Sequence, residues 1–89
     1  MNEVLKSAIE TYGHDAQKDM VIEEILELAL EVLRDKRGRK NRKEIIEETA
    51  DAEIMLEQLK HMMEIDPAEI DHVKELKIKR LAGRLGLKE

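Results

Sequence analysis

The chain has no cysteine, no phenylalanine and no tryptophan, and a single tyrosine, Tyr12. Without cysteine there is no disulfide framework and no thiolate metal site. Without aromatics, a core must be built from Leu, Ile, Val, Met and Ala. Stacking platforms for single-stranded bases are also missing. One proline and four glycines are few breakers for 89 residues. No apolar run approaches the ~18 residues of a membrane span. The opening stretch, MNEVLKSAIE, is charged and amphipathic, unlike a signal peptide. Period-two alternation is absent, so strands are not expected. These exclusions leave a soluble, cytoplasmic, all-α domain spanning 1–89.

What the chain has is charge. Charged residues make up 42% and hydrophobic residues 42%, a mixture that suits amphipathic helices. The net charge of −5 is unevenly spread. Arg34 to Lys43, RDKRGRKNRK, holds seven basic residues and one acid, which leaves −11 on the remainder. That remainder would repel phosphate backbones, so a nucleic-acid partner is not expected.

Breakers and caps divide the chain into four helices. Gly13 ends the first, about 2–12, and Asp15 can cap the second, about 16–36. Gly38 ends that helix inside the basic loop. Asn41 can cap the third, about 42–63, with Glu44 as its capping-box partner. In DPAE, Asp66 is an N-cap, Pro67 a first helical residue and Glu69 an acid that can reach back, opening a fourth helix at about 67–85. Short connections favour antiparallel neighbours, so the expected architecture is a four-helix antiparallel bundle.

The third helix carries an anomaly. Wound at about 100° per residue from Glu44, it places Ile45, Ala52, Leu56, Leu59 and Met63 in one apolar stripe, with Met55 and Met62 beside it. Glu48 falls inside this stripe and Asp51 on its edge. A lone buried carboxylate costs several kcal/mol or takes up a proton. A bound cation removes both problems. On the second helix Glu23, Glu24, Glu27 and Glu31 form a stripe mostly opposite the apolar one (Val21, Ile25, Leu28, Ala29, Val32, Leu33), as a solvated face would. Yet Glu24 and Glu27 share the i, i+3 spacing of Glu48 and Asp51. Two antiparallel helices can aim all four at one point. Oxygen ligands without His or Cys suit Mg²⁺ or Mn²⁺ over Zn²⁺. His14, His61 and His72 lack the Glu-x-x-His placement of di-iron bundles and read as surface residues.

EEILE (Glu23 to Glu27), followed by ETAD (Glu48 to Asp51), resembles the E-E-x-x-E … E-x-x-D signature of MazG-like proteins, which are all-α nucleoside triphosphate pyrophosphohydrolases. ADAEIMLEQL is similar to the family's A-D-hydrophobic run, and KIKRLAGRL to its closing helix; together the resemblance covers about residues 13 to 85. Ala52-Glu53 departs from it, where many members carry two apolar residues. The resemblance implies Mg²⁺-dependent conversion of a nucleoside triphosphate to the monophosphate and pyrophosphate. It implies Glu24, Glu27, Glu48 and Asp51 as metal ligands, and Glu23 or Glu27 as helping to activate water. It also implies a homodimer, or a tetramer made of dimers.

A triphosphate brings about four negative charges to an acidic site, so cations must accompany it. Arg37, Lys40 and Arg42 of the basic loop are candidates, as are Lys77, Lys79 and Arg80 near the C-terminus. Gln17, two turns before Glu24, could bond a base or sugar. There is no Walker pattern and no Ser–His pair or Cys for covalent catalysis. Met20, Met55, Met62 and Met63 read as core. Ile46, Ala50 and Ile54 form a second apolar side on the third helix, for which a second subunit is the simplest cover. The alternative function is a non-catalytic dimerising or regulatory module that binds nucleic acid or nucleotide through residues 34–43.

Overall fold

The computed structural model describes residues 2–87; Met1, Lys88 and Glu89 of the expected domain lie outside the described residues. The described chain is all-α: α1 (Glu3–Tyr12), α2 (His14–Lys36), α3 (Arg42–Met62) and α4 (Pro67–Arg84). No strand occurs among the described residues.

Local chemistry sets most of these boundaries. Asn2 opens α1 by accepting from the Val4 N–H at 2.7 Å. Gly13, at φ 88°, ends α1 and is also the N-cap of α2. That positive φ, which glycine adopts without strain, swings the chain into a new helix with no intervening turn. Asp15 therefore lies in the first turn of α2 rather than at its cap. Asp66 caps α4 through the Ala68 N–H at 2.9 Å, with Pro67 at the first position. Neither Glu44 nor Glu69 closes a capping box: no side-chain hydrogen bond from either is found.

Three helix ends share one motif. After α2, the Arg39 N–H reaches Arg34 O and the Gly38 N–H reaches Asp35 O, with Gly38 at φ 91°. Ile65 to Lys60 and Glu64 to His61 repeat this pattern after α3, as do Leu87 to Ala82 and Gly86 to Gly83 after α4. Each is a Schellman closure needing one left-handed residue. Glycine supplies it twice; after α3 it is Glu64, at φ 53°.

α2 and α3 form an antiparallel hairpin, as the pairing of Glu31 with Asn41 and of Glu24 with Glu48 requires. One line of buried and half-buried positions on each is spaced alternately four and three apart. Gln17, Val21, Glu24, Leu28 and Glu31 follow this on α2, and Asn41, Ile45, Glu48, Ala52, Met55, Leu59 and Met62 on α3. This is the spacing of a coiled-coil seam. α1 packs across its far end, where Ile9, Val21 and Met62 form the core with Met55 and Leu59 against them. Gln58, 1% exposed, ties α3 to α1 by donating to the Leu5 carbonyl at 3.3 Å.

The second helix is therefore turned by about a quarter turn from its expected orientation: Val21 and Leu28 of the expected stripe stay inward. Its acidic residues Glu24 and Glu31 enter the seam, while Ile25, Ala29, Val32 and Leu33 of the expected apolar stripe are exposed. Met20 and Met63 are exposed too, against the expectation that they are core. The cause is that α2 is apolar over more than one face: Ile22, Leu26 and Leu30 are exposed beside that stripe. One chain has too few partners to cover them all. α4 buries no side chain, although Val73, Leu76, Ile78, Leu81 and Leu85 are all apolar.

Candidate metal centre

Glu24 and Glu27 arrive from adjacent turns of α2, and Glu48 from the middle of α3. One carboxylate oxygen from each lies within 4.8 Å of the others. Glu24 and Glu48 are half-buried, and Glu27 is exposed on the outer side of the group. Oε2 of Glu24 and Oε2 of Glu48 are buried with no hydrogen-bond partner. No cation satisfies them: the ion pairs among the described residues are Arg34–Glu31, Lys43–Glu47 and Lys60–Glu57.

The electrostatic consequence is direct. Burial pushes the Glu24 carboxyl up to about 7, and the charges of Glu27, Asp51, Glu48 and Glu23 add to the effect. Glu48 is also raised, by burial first, then by the charge of Glu27 and a hydrogen bond with it, then by Asp51 and Glu31. Crowded acids with orphaned oxygens can exist in two ways. They take up protons, or they surround a cation.

The structure thus brings together three of the four expected ligands. Asp51 is exposed and stands outside the group of three, yet its charge acts on both Glu24 and Glu48. Glu23 is exposed beside the cluster. Gln17 is buried on the seam, two turns before Glu24. The expected phosphate contacts are less uniform. Arg42 and Lys40 border an open hollow of about 590 Å³ at the start of α3. By helical rise, Arg42 lies about 9 Å along α3 from Glu48, whereas Arg37, at the C-cap of α2, lies about 20 Å beyond Glu24. Arg42 is therefore the nearer of the two along the helix axis, although it lies about 120° around α3 from Glu48. Lys79 is exposed on α4, and His14, His61 and His72 are exposed as expected.

Two residues of the seam escaped the sequence reading. Glu31 counted as part of a solvated stripe, and Asn41 as a helix cap. In the structure both are buried, and they bond each other. The four-three alternation running through Gln17, Val21, Glu24, Leu28 and Glu31 was the available signal. Compared with family models, curated proteins and solved structures, the chain finds no match in any of the three.

Proposed function

We propose that this chain is a Mg²⁺-dependent nucleoside triphosphate pyrophosphohydrolase of the MazG-like kind, with Mn²⁺ as a substitute ion, acting as a homodimer or a dimer of dimers. The observation that carries the reading is the carboxylate group Glu24–Glu27–Glu48, with its two buried, unpartnered oxygens. An all-oxygen donor set of high negative charge fits a hard divalent ion. Glu24, Glu27 and Glu48 would hold it, with Asp51 beside them. When bound, such an ion neutralises phosphate oxygens and lowers the pKa of water. The chain's own residues supply the rest. Glu27, the solvent-facing member, is placed to take a proton from the attacking water, better than Glu23 outside the group. Lys40 of the loop and Arg42 at the start of α3 are the candidate counter-charges for the phosphate chain; Gln17, buried on the seam, is not open to a base or sugar. The carboxylate signature supplies the reaction class.

The oligomer is supported by surface area. A compact protein of 10.4 kDa exposes about 5,400 Å², whereas this chain exposes 7310 Å². The excess of about 1,900 Å² exceeds the ~800 Å² that one side of a standard interface hides. The radius of gyration, 16.3 Å, is likewise above the roughly 12 Å of a compact chain of this length. The exposed apolar faces of α2, α3 and α4 are the surface a second copy would cover.

The test is product analysis with each nucleoside triphosphate and Mg²⁺ in ¹⁸O water. Monophosphate and pyrophosphate are expected, with label in the monophosphate. Glu48→Gln should abolish turnover while the helical circular dichroism is kept. Orthophosphate as the sole inorganic product, or full activity in Glu48→Gln, would overturn the assignment.

A further inference from the structure

Glu31 and Asn41 lie on the α2–α3 seam but outside the carboxylate cluster. Asn41 Nδ2 donates to the Glu31 backbone carbonyl at 2.8 Å and to its Oε2 at 2.6 Å. Arg34, one turn on, donates to the other carboxylate oxygen. Asn41 is 4% exposed and Glu31 8%. Asn41 occupies the N-cap position of α3, yet its side chain makes no cap bond. It is turned across to the neighbouring helix instead. The helix forgoes a cap, and the seam takes in a charged group. Neither favours stability.

The placement explains the arrangement. Glu31 lies seven residues after Glu24, and Asn41 seven before Glu48. The two polar layers therefore share one register, two turns apart, or about 10 Å. The apolar residues between and beyond them do not define that register strongly. Leu28, Ile45 and Met55 can meet apolar partners at more than one step. The carboxylates of the cluster oppose it, because they repel one another. We propose that the Asn41–Glu31 clasp is the positioning device of the carboxylate cluster: it holds α2 and α3 in the one register that brings Glu48 to Glu24 and Glu27. A single polar residue on a helical seam is an established way to fix register at some cost in stability. The register claim stands on the hydrogen bonds alone; its bearing on metal binding rests on the function proposed above.

Because the chain has no cysteine, introduced pairs report register without ambiguity. Leu28→Cys with Ile45→Cys marks the layer between clasp and cluster. Leu28→Cys with Ala52→Cys links only if α3 slips by two turns. Electrophoresis with and without reductant, read at the monomer mass, counts links within one chain. In the native background only the first pair should link. In a Glu31→Leu/Asn41→Leu background the protein should remain helical and no less stable, yet both pairs should link. Mn²⁺ should then bind about tenfold more weakly or worse. Asn41→Ser, too short for the clasp but able to cap α3, should give the same readings should the double variant fail to fold. Glu31→Gln should match the native protein in cross-link pattern and Mn²⁺ affinity. Its amide oxygen can still accept from Asn41, so the clasp is kept, although the nitrogen replaces the oxygen that Arg34 donates to and that contact is lost. Exclusive linking of the first pair with native Mn²⁺ affinity, in the double leucine or the serine background, would overturn the proposal. Failure of the native protein to bind Mn²⁺ would refute the metal reading, while the cross-link pattern would still decide the clasp.

Discussion

Among single residues, Glu24 has the clearest solution signature. Its carboxyl is pushed up to about 7, above its ordinary value. The folded state therefore binds this proton more tightly than the unfolded chain does. Ion-free stability should rise as pH falls through 7 toward the ordinary glutamate range, be complete below that range, and be lost as pH rises again through 7. Glu31 acts in the opposite sense and in a lower window. The Asn41 hydrogen bond, followed by the Arg34 contacts, holds its carboxyl below the usual value, against the effect of burial. Its contribution is present above that usual value and is lost only as pH falls through the depressed one. Urea unfolding on both sides of pH 7 should show the Glu24 slope, and added Mg²⁺ should flatten it. A slope of the same size with and without Mg²⁺ would count against ion binding at this cluster.

At the level of elements, the helix boundaries were legible in the sequence and the faces were not. Gly13, Gly38 and the Asp66–Pro67 pair act on their immediate neighbours, so a local reading finds them. All four helices lie where these residues predict, within two residues at each end. Facing is a different kind of property. α3 was readable in part: Ile45, Ala52, Met55, Leu59 and Met62 turn inward with Glu48, but Leu56 and Met63 of the expected stripe are exposed. α2 was less so, because its apolar residues surround an acidic line, and the side that turns inward depends on what the neighbour offers. Asn41 does hold the N-cap position, but the partner of its side chain was hidden for a related reason. A cap and a cross-helix donor look alike in one dimension, and only the partner 10 positions earlier distinguishes them. The end of α3 carries its own test. Glu64 holds the left-handed position that glycine fills after α2 and α4. Glu64→Gly should raise stability by about 0.5–1 kcal/mol in thermal or urea unfolding. A loss of stability would show that the Glu64 side chain contributes more than its backbone strain costs.

For the molecule as a whole, the small core and the large apolar surface belong together. The buried apolar side chains among the described residues are Ile9, Val21, Ala52 and Met62. Far more large apolar residues are exposed, and they lie on faces of α2, α3 and α4 rather than singly. Patches on this scale mark association surfaces. Leu26 is 63% exposed in the single chain, on α2 opposite the seam side. Leu26→Glu should therefore leave the hairpin intact while lowering the mass seen in light scattering, and Ile54→Glu should do the same on α3. A monomeric native protein at micromolar concentration would refute the oligomer.

The clasp also bears on the order of events during folding. Its two residues are 10 positions apart, so the chain closes only a short loop to bring them together. Closure of that length takes place in roughly tens of nanoseconds. Each later layer of the seam then extends an already closed hairpin, at little further entropic cost. Encounters between chains are slower and depend on concentration. In the oligomer proposed above, the acidic cluster would thus be assembled inside one chain before a second chain arrives, and the apolar faces would be covered last.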